Sequence, residues 1–201
     1  MPFALKDQIA RDFDWSVYGC DIVASKKIAN AFILNFEQFT DRGKGLYIYS
    51  KTKGAGKTML ACCLANELLS VSMSVKFITV LDLMELKKSS YEKGVEHVQI
   101  LDELKSLYDA GLLILDDMGV ELRSQKNEHT DQVLYQIINS RMNSKRVTIF
   151  TSNLKIEELK TDDRTKDRIS KMSIMVNLPE IPVRKIMTET ENEEFIKTLL
   201  A

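Results

Sequence analysis

Short apolar runs alternate with longer amphipathic stretches along the chain. Five runs are nearly continuous in apolar and β-branched residues, which is typical of strands covered on both faces. They are LYIYS (46–50), VKFITV (75–80), LLILDD (112–117), VTIFTSN (147–153) and SIMVNL (173–178). Helical spacing marks the stretches 25–40, 57–70, 80–90, 97–110, 130–143 and 155–171. This alternation predicts an α/β fold, with a five-stranded parallel sheet covered by helices on both faces.

The chain carries no internal repeat and no low-complexity segment, so the pattern predicts a single folded core. We expect residues 1–40 to form an N-terminal linker and helix, with the first 20 residues linker-like. Residues 41–186 hold all five predicted strands and form the core, and 187–201 form an acidic C-terminal tail.

The amino-acid composition of the chain argues against several classes of protein. The 201 residues are 44% hydrophobic and 28% charged, with a formal net charge of -1. This balance argues against a protein that coats polyanions, although it permits a local basic patch. The three cysteines form no C-x-x-C pair, so we expect neither a zinc site nor a disulfide framework. No apolar run reaches membrane-spanning length and the N-terminus is too charged for a secretory signal, so we expect a cytoplasmic protein with no membrane partner.

The segment YSKTKGAGKTML (49–60) ends like a phosphate-binding loop, although Lys51 stands where the pattern G-x-x-x-x-G-K-[ST] has its first glycine. It follows a predicted strand and opens a predicted helix, which is the setting that such a loop requires. Its backbone from Gly54 to Met59, including Ala55 and Gly56, is therefore predicted to bind the phosphates of ATP at a helix N-terminus. Lys57 would reach the β- and γ-phosphates and Thr58 would offer a hydroxyl to Mg²⁺. The alternative is an ordinary glycine turn.

A second motif, GLLILDDMG (111–119), places two carboxylates at the end of a predicted strand. In a parallel sheet, this end lies at the same edge as the phosphate loop. Asp116 is predicted to hold Mg²⁺, and Asp117 to orient or deprotonate the attacking water. A strand that ends in a plain Asp-Asp turn is the alternative; the separation from the loop, with one predicted strand between, favours the metal site.

Three further residues stay open on pattern alone. Asn153 ends the strand VTIFTSN, where its amide either helps to place the water or forms a turn. Arg168 lies in DDRTKDRISKM (162–172). It either completes the active site of a neighbouring subunit or belongs to an ion-paired surface helix. Arg184 in LPEIPVRK follows the last strand, from which it could reach back to the nucleotide.

In this order the motifs resemble those of the DnaC/DnaI-type helicase loaders and the related IstB-type transposition ATPases, a branch of the AAA+ superfamily. The resemblance is carried by four segments and runs from about Phe13 to Arg184. They are LYIYSKTKGAGKTMLACCLANEL, LLILDDMGVE, QVLYQIINSRMNSKRVTIFTSNL and DRTKDRISKMSIMVNLPEIPVR. It implies an AAA+ P-loop NTPase core that binds ATP and Mg²⁺. It also implies that Asn153 is sensor 1, Arg168 the arginine finger and Arg184 the sensor 2 arginine.

The resemblance further implies that the segment after the second strand, LDLMELKKSSYEKGVEH (81–97), faces single-stranded DNA in an assembled spiral. Lys87, Lys88 and Lys93 would contact phosphates and Tyr91 would stack on a base. A solvated surface helix is the alternative for this segment. Near the N-terminus, Phe13 and Trp15 either border the adenine or simply pack.

The chain departs from the family pattern at three points. Lys51 replaces the first loop glycine, so the backbone there should need no glycine geometry. Asp117 stands where many AAA+ proteins have glutamate. We expect no counterpart of the family's separate N-terminal helicase-binding domain, and a minimal C-terminal lid or none.

Together with these patterns, the resemblance implies a slow, oligomer-dependent ATPase that acts in DNA replication, as a helicase loader or loader-like factor that assembles on single-stranded DNA or a replicative helicase. Self-association through Arg168 would depend on ATP. The alternatives are an IstB-type ATPase that regulates a transposase, a P-loop small-molecule kinase, and a structural P-loop protein without activity.

Overall fold

The computed structural model describes residues 1–69, 73–91, 97–119 and 128–200. It contains the predicted parallel sheet, whose strands are β1 (Gly45–Tyr49), β2 (Val75–Thr79), β3 (Leu112–Met118), β4 (Val147–Ser152) and β5 (Ser173–Asn177). Their order in the sheet is β2-β3-β4-β1-β5, and every pairing is parallel. The fold prediction is confirmed.

The helices of the described residues are α1 (Val23–Leu34), α2 (Phe36–Arg42), α3 (Lys57–Leu69), α4 (Val80–Ser89), α5 (His97–Asp109), α6 (Glu128–Asn143), α7 (Asp163–Met172) and α8 (Val183–Leu199). They cover the sheet in two layers. Along β1, Leu46 and Ile48 face the layer of α1, α2 and α3, while Tyr47 and Tyr49 face that of α4 to α7. This period of two is why the strands read as continuous apolar runs.

Two helix predictions were wrong in their extent. The helix predicted over 25–40 is divided at Asn35, whose side-chain amide and backbone N–H both donate to the Ala31 carbonyl. The helix predicted over 155–171 begins only at Asp163, because the Asp162 carboxylate caps it by accepting the Thr165 N–H at 2.8 Å. Residues that cap a helix in this way compete with helix formation upstream of the cap.

The N-terminal segment, predicted to be linker-like, packs against the core. Phe13 and Tyr18 are buried against Gly56 of the phosphate loop, and the Phe13 ring contacts the rings of both Trp15 and Tyr18. This is the packing alternative for Phe13, and it results from three aromatic side chains spaced closely enough to cover α3. At the other end, α8 is exposed along most of its length. No helix among the described residues is long and apolar enough to cross a membrane.

Candidate nucleotide site

The phosphate loop lies between β1 and α3 with the backbone that phosphate binding requires. Gly54 and Gly56 have φ values of 74° and 89°, in the left-handed region that favours glycine. Outside glycine, the described residues with positive φ are Asp117 and Lys145, so Lys51 has an ordinary backbone conformation. The prediction that the first loop position needs no glycine geometry is confirmed.

Lys57 is buried within the loop that it follows. Its ammonium group donates to the carbonyl of Ser50 at 3.1 Å and to that of Thr52 at 2.9 Å. Burial lowers the pKa of Lys57, an effect that the carboxylates of Asp117 and Asp116 oppose and the charge of Arg184 adds to. The ammonium group is therefore held at the loop by neutral carbonyls, which leaves its charge available to an anion.

Thr58 and Asp116 join the loop to the sheet edge. The Thr58 hydroxyl donates to both carboxylate oxygens of Asp116, at 2.9 and 3.2 Å. A hydroxyl and a carboxylate at one point are oxygen ligands of the kind that Mg²⁺ takes in nucleotide sites. Burial raises the pKa of Asp116, and the hydrogen bonds from Thr151 and Thr58 act against this rise. The sequence-predicted metal pair is thus brought together, in a donor set that fits the ion.

A bulge in β3 separates the two carboxylates. The register to β4 shifts between Leu115 and Met118, and Asp117 has a φ of 59°. Asp116 is buried whereas Asp117 is exposed and lines the cleft beside the loop. The bulge therefore directs two neighbouring carboxylates to different places, which the two predicted roles require.

Sequence reasoning missed Thr151, which connects both carboxylates to β4. Its hydroxyl donates to Asp116 Oδ1 at 2.6 Å and accepts the Asp117 backbone N–H at 3.0 Å. The strand order places β4 directly beside β3, so the end of VTIFTSN meets the end of LLILDDM. A threonine two residues before the predicted sensor asparagine was the only signal in the sequence.

Asn153 carries a buried side-chain oxygen without a hydrogen-bond partner and lines the same cleft. A buried acceptor is rarely left unpaired, so this one indicates a partner that arrives from the cleft, such as a water or a ligand. Its position is the one expected of a group that places a water near the γ-phosphate.

The cleft has a volume of about 690 Å³, within the usual range of ligand pockets. Its lining includes all six predicted loop residues, Gly54 to Met59, together with Asp117, Asn153 and Arg184. Arg184 begins α8 against the loop, where its backbone N–H donates to the Gly54 carbonyl at 3.0 Å. Lys53 and Val183 also line the cleft. Sequence reasoning missed the walls that come from the two ends of the chain, which are Pro2, Ala4, Leu5, Met187, Thr188 and Glu191.

Two groups of predicted residues lie outside the cleft. Arg168 on α7 contacts α6 and is not part of the lining. Lys87, Lys88 and Tyr91 lie at the end of α4, where the Lys87 ammonium lies 5.5 Å from the centre of the Tyr91 ring. Lys93 lies outside the described residues. The structure therefore separates Arg168, Lys87, Lys88 and Tyr91 from the cleft of their own chain.

Comparison with known proteins identifies similar chains. The family model of the IstB-like ATP binding protein matches residues 9–169. The replicative helicase loader DnaC of Escherichia coli (strain K12) is 33% identical over 126 residues, which cover 61% of this chain and 49% of DnaC. The replicative helicase loader DnaI of Bacillus subtilis (strain 168) is 34% identical over 122 residues, which cover 60% of this chain and 37% of DnaI. The chain thus spans half or less of the length of these relatives.

A crystal structure of DnaI superimposes with a TM-score of 0.70 at 25% sequence identity. The superposition covers 91% of this chain and 94% of the DnaI chain in that structure. The similarity therefore extends across the sheet, the phosphate loop and the helices on both faces.

Proposed function

Because the chain belongs to the IstB-like ATP binding protein family, we propose that it is an AAA+ ATPase that acts in DNA replication as a helicase loader or loader-like factor. The family membership confirms the resemblance that the motifs predicted. ATP binding is the property that the family description states, whereas hydrolysis, the metal and the partners belong to the proposal.

One observation carries the proposal: the Thr58 hydroxyl bonds to the Asp116 carboxylate at 2.9 Å, beside the buried ammonium group of Lys57. A glycine turn without a nucleotide function has no need for a buried carboxylate at this point. Removing a carboxylate from water is costly unless it is paired or binds a metal. The contact therefore supports a site for a nucleotide phosphate and its Mg²⁺ ion.

Each residue of the site then has a chemical role. Thr58 and Asp116 would hold Mg²⁺, which when bound neutralises the charge that develops on the transferred phosphate. Lys57 binds the β- and γ-phosphates, and the loop N–H groups of 54–59 cradle them. Asp117 and Asn153 orient the attacking water, which makes Asp117 the candidate base despite its short side chain.

The two arginines act on different nucleotides: Arg184 on the one bound to its own chain, and Arg168 on the one bound to a neighbouring copy. Arg184 touches the loop of its own chain, so it acts in cis on the bound nucleotide. Arg168 lies on another surface, from which it would reach the γ-phosphate held by a neighbouring copy. Hydrolysis is then slow in the isolated chain and accelerates on assembly, as in other ATPases with an arginine supplied in trans.

The names of the relatives support a replicative helicase as the partner, because DnaC and DnaI are both replicative helicase loaders. Single-stranded DNA would lie along the end of α4, with phosphates on Lys87, Lys88 and Lys93 and a base on Tyr91. This work takes place in the cytoplasm, where helicase and DNA are found.

A pull-down against the replicative helicase of the same cell, with and without ATP, tests the proposal. We expect capture that depends on ATP and is lost in Lys57→Ala, while Lys51→Gly serves as the matched control. Failure to capture the helicase in either state would contradict the loader function. Capture of a transposase instead would favour the IstB-type alternative. In a separate ATPase assay, full activity of Arg168→Ala would favour a P-loop small-molecule kinase.

A further inference from the structure

The guanidinium of Arg168 is held in place by three neutral acceptors. Its Nε donates to Asn139 Oδ1 at 2.8 Å, one terminal nitrogen donates to the Tyr135 hydroxyl at 2.9 Å, and the other to the Arg164 carbonyl at 3.0 Å. A guanidinium has five N–H groups, so two remain for a further partner. The arrangement orients the side chain without using all of its donors.

The nearby carboxylates leave the charge of Arg168 uncompensated. Asp163 pairs with Lys166, Asp167 pairs with Lys171, and Asp162 caps α7. Among the described residues, no carboxylate lies within ion-pair distance of Arg168. The ion-paired helix that the sequence allowed does exist on α7, and Arg168 takes no part in it.

Tyr135 contacts the guanidinium of Arg168 with its ring as well as with its hydroxyl. The carbon at the centre of the guanidinium lies over the Tyr135 ring, 4.5 Å from its centroid, a distance at which the ring attracts a cation. The same tyrosine therefore gives Arg168 a cation–π contact and a hydrogen-bond acceptor. Asn139 lies one turn further along α6. Together, Tyr135 and Asn139 restrict the rotamers of the Arg168 side chain, which a long side chain would otherwise sample freely.

We propose that Tyr135 and Asn139 are positioning residues, which fix Arg168 in the orientation that it needs to contact the γ-phosphate of a nucleotide bound to a neighbouring copy. The inference rests on the proposed function, since it assigns the finger to Arg168. Preorganised charge stabilises a transition state because no reorganisation is needed when the reaction occurs. Tyr135 and Asn139 lie outside the cleft of their own chain, so their proposed role is exerted through Arg168 alone.

Steady-state ATPase assays on Tyr135→Leu, at protein concentrations that allow assembly, test this role. We expect kcat to fall about tenfold or more in the assembled protein, with the Kd of the unassembled chain for ATP within about twofold of the parent value, because Tyr135 lies outside the cleft of its own chain. Tyr135→Phe keeps the ring below the guanidinium and loses the hydroxyl, so it should retain more activity than Tyr135→Leu. Arg164→Ala is the control: its guanidinium also lies over the ring, at 5.2 Å, but its side chain is largely exposed, and kcat should not change.

A mixing experiment separates positioning of the finger from damage to the fold. Tyr135→Leu has an intact nucleotide site and a misplaced finger, whereas Asp117→Asn has an inactive site and an intact finger. Asparagine tolerates the positive φ at this position, so Asp117→Asn should fold normally. In an equal mixture, half of the sites are intact and half of their neighbours supply a good finger. We therefore expect about a quarter of the parent activity, well above the sum of the two variants alone.

Each outcome bears on a separate claim. A mixture that is no more active than the sum of its components would overturn the positioning role, because the defect of Tyr135→Leu would then lie in its own site or fold. Parent-like activity of Tyr135→Leu alongside an inactive Arg168→Ala would overturn it as well, while leaving the finger assignment intact. Parent-like activity of Arg168→Ala would instead contradict the finger of the proposed function.

Discussion

At the scale of single residues, the candidate site depends on side chains that fix the positions of the predicted metal-binding and catalytic carboxylates. Thr151 binds the Asp116 carboxylate and the Asp117 backbone with one hydroxyl, at 2.6 and 3.0 Å. Hydrogen bonds to a charged group are stronger than those between neutral groups, and they favour the charged form. Thr151 therefore opposes the rise that burial causes in the pKa of Asp116 and fixes the backbone of Asp117 beside the cleft, although it is not itself a candidate ligand.

Replacing Thr151 with valine removes both hydrogen bonds at nearly constant volume. Loss of a hydrogen bond to a charged group costs about 1.5–3 kcal/mol, so we expect kcat for ATP hydrolysis to fall about 10- to 100-fold. The affinity for ATP itself should change far less, since Lys57 and the loop amides remain. Thr151→Ser keeps the hydroxyl and serves as the control. Unchanged hydrolysis in Thr151→Val would show that the carboxylates need no support from β4.

The two lysines of the loop should respond in opposite ways to mutation. Lys57→Ala removes a buried ammonium group at the phosphate loop, and we expect it to abolish ATP binding measured by isothermal titration calorimetry. Lys51→Gly changes an exposed residue with an ordinary backbone, and binding should stay within about twofold, because glycine there only adds freedom to the unfolded chain. A large loss of affinity in Lys51→Gly would mean that the Lys51 side chain contacts the nucleotide.

At the scale of elements, a fully buried arginine ties α6 to its neighbours. Arg141 donates to the carbonyls of Leu107, Tyr108 and Ala110 at the end of α5, and to Val147 and Thr148 of β4. The end of a helix exposes unpaired carbonyls and carries partial negative charge, which a cation stabilises. Burial lowers the pKa of Arg141 to about 9, so the side chain is still protonated at neutral pH.

Arg141→Met should destabilise the fold because it leaves buried carbonyls without donors. We expect the free energy of unfolding, measured with urea, to fall by about 2–4 kcal/mol. Arg146→Met is a matched control nearby, since Arg146 is exposed and its loss should change stability by no more than about 0.5 kcal/mol. Equal stability of the two variants would contradict the role of Arg141 in joining α5, α6 and β4.

The N-terminal segment and the phosphate loop form a second link between elements. The Tyr18 hydroxyl donates to the Ala55 carbonyl at 2.6 Å, and a Cβ on Gly56 would come within 3.0 Å of the same hydroxyl oxygen. Burial raises the pKa of Tyr18 to about 12, so this hydroxyl remains a donor at neutral pH. Glycine at position 56 is thus required twice, by its positive φ and by the aromatic ring beneath it.

At the scale of the whole molecule, the two arginines of the proposed function lie on different surfaces. Arg184 belongs to the cleft and Arg168 to the face of α6 and α7. When one surface of a molecule binds a different surface of the next copy, the contact is head-to-tail and forms rings or open spirals. An assembly of this kind would place one Arg168 at each shared nucleotide site, as the proposed function requires.

Assembly should therefore require nucleotide. We expect sedimentation velocity to show a larger species when ATP and Mg²⁺ are added, because the γ-phosphate bridges the two surfaces. Lys57→Ala should stay at the mass of the nucleotide-free protein, and Arg168→Ala should assemble at least about tenfold more weakly through loss of one charge-assisted contact. The same sedimentation with and without ATP would contradict assembly that depends on nucleotide.

Local patterns were sufficient to predict much of this protein. The five strands, the phosphate loop and the Asp-Asp strand were readable because each depends on residues close together in sequence: period-two burial, a glycine-rich turn before a helix, and acids at a strand end. The helix boundaries at Asn35 and Asp162 were less readable, since a side-chain cap competes with an apolar pattern that continues past it.

The sequence by itself therefore determined the fold class, the family, the loop residues from Gly54 to Met59 and the pair Asp116 and Asp117. Only the tertiary structure decided what surrounds them. The position of β4 beside β3 brings Thr151 to both carboxylates, α8 and the first residues of the chain close the cleft, and α6 holds Arg168. These contacts join residues far apart in the chain, and no local period or motif encodes a long-range contact; it arises only when the core packs.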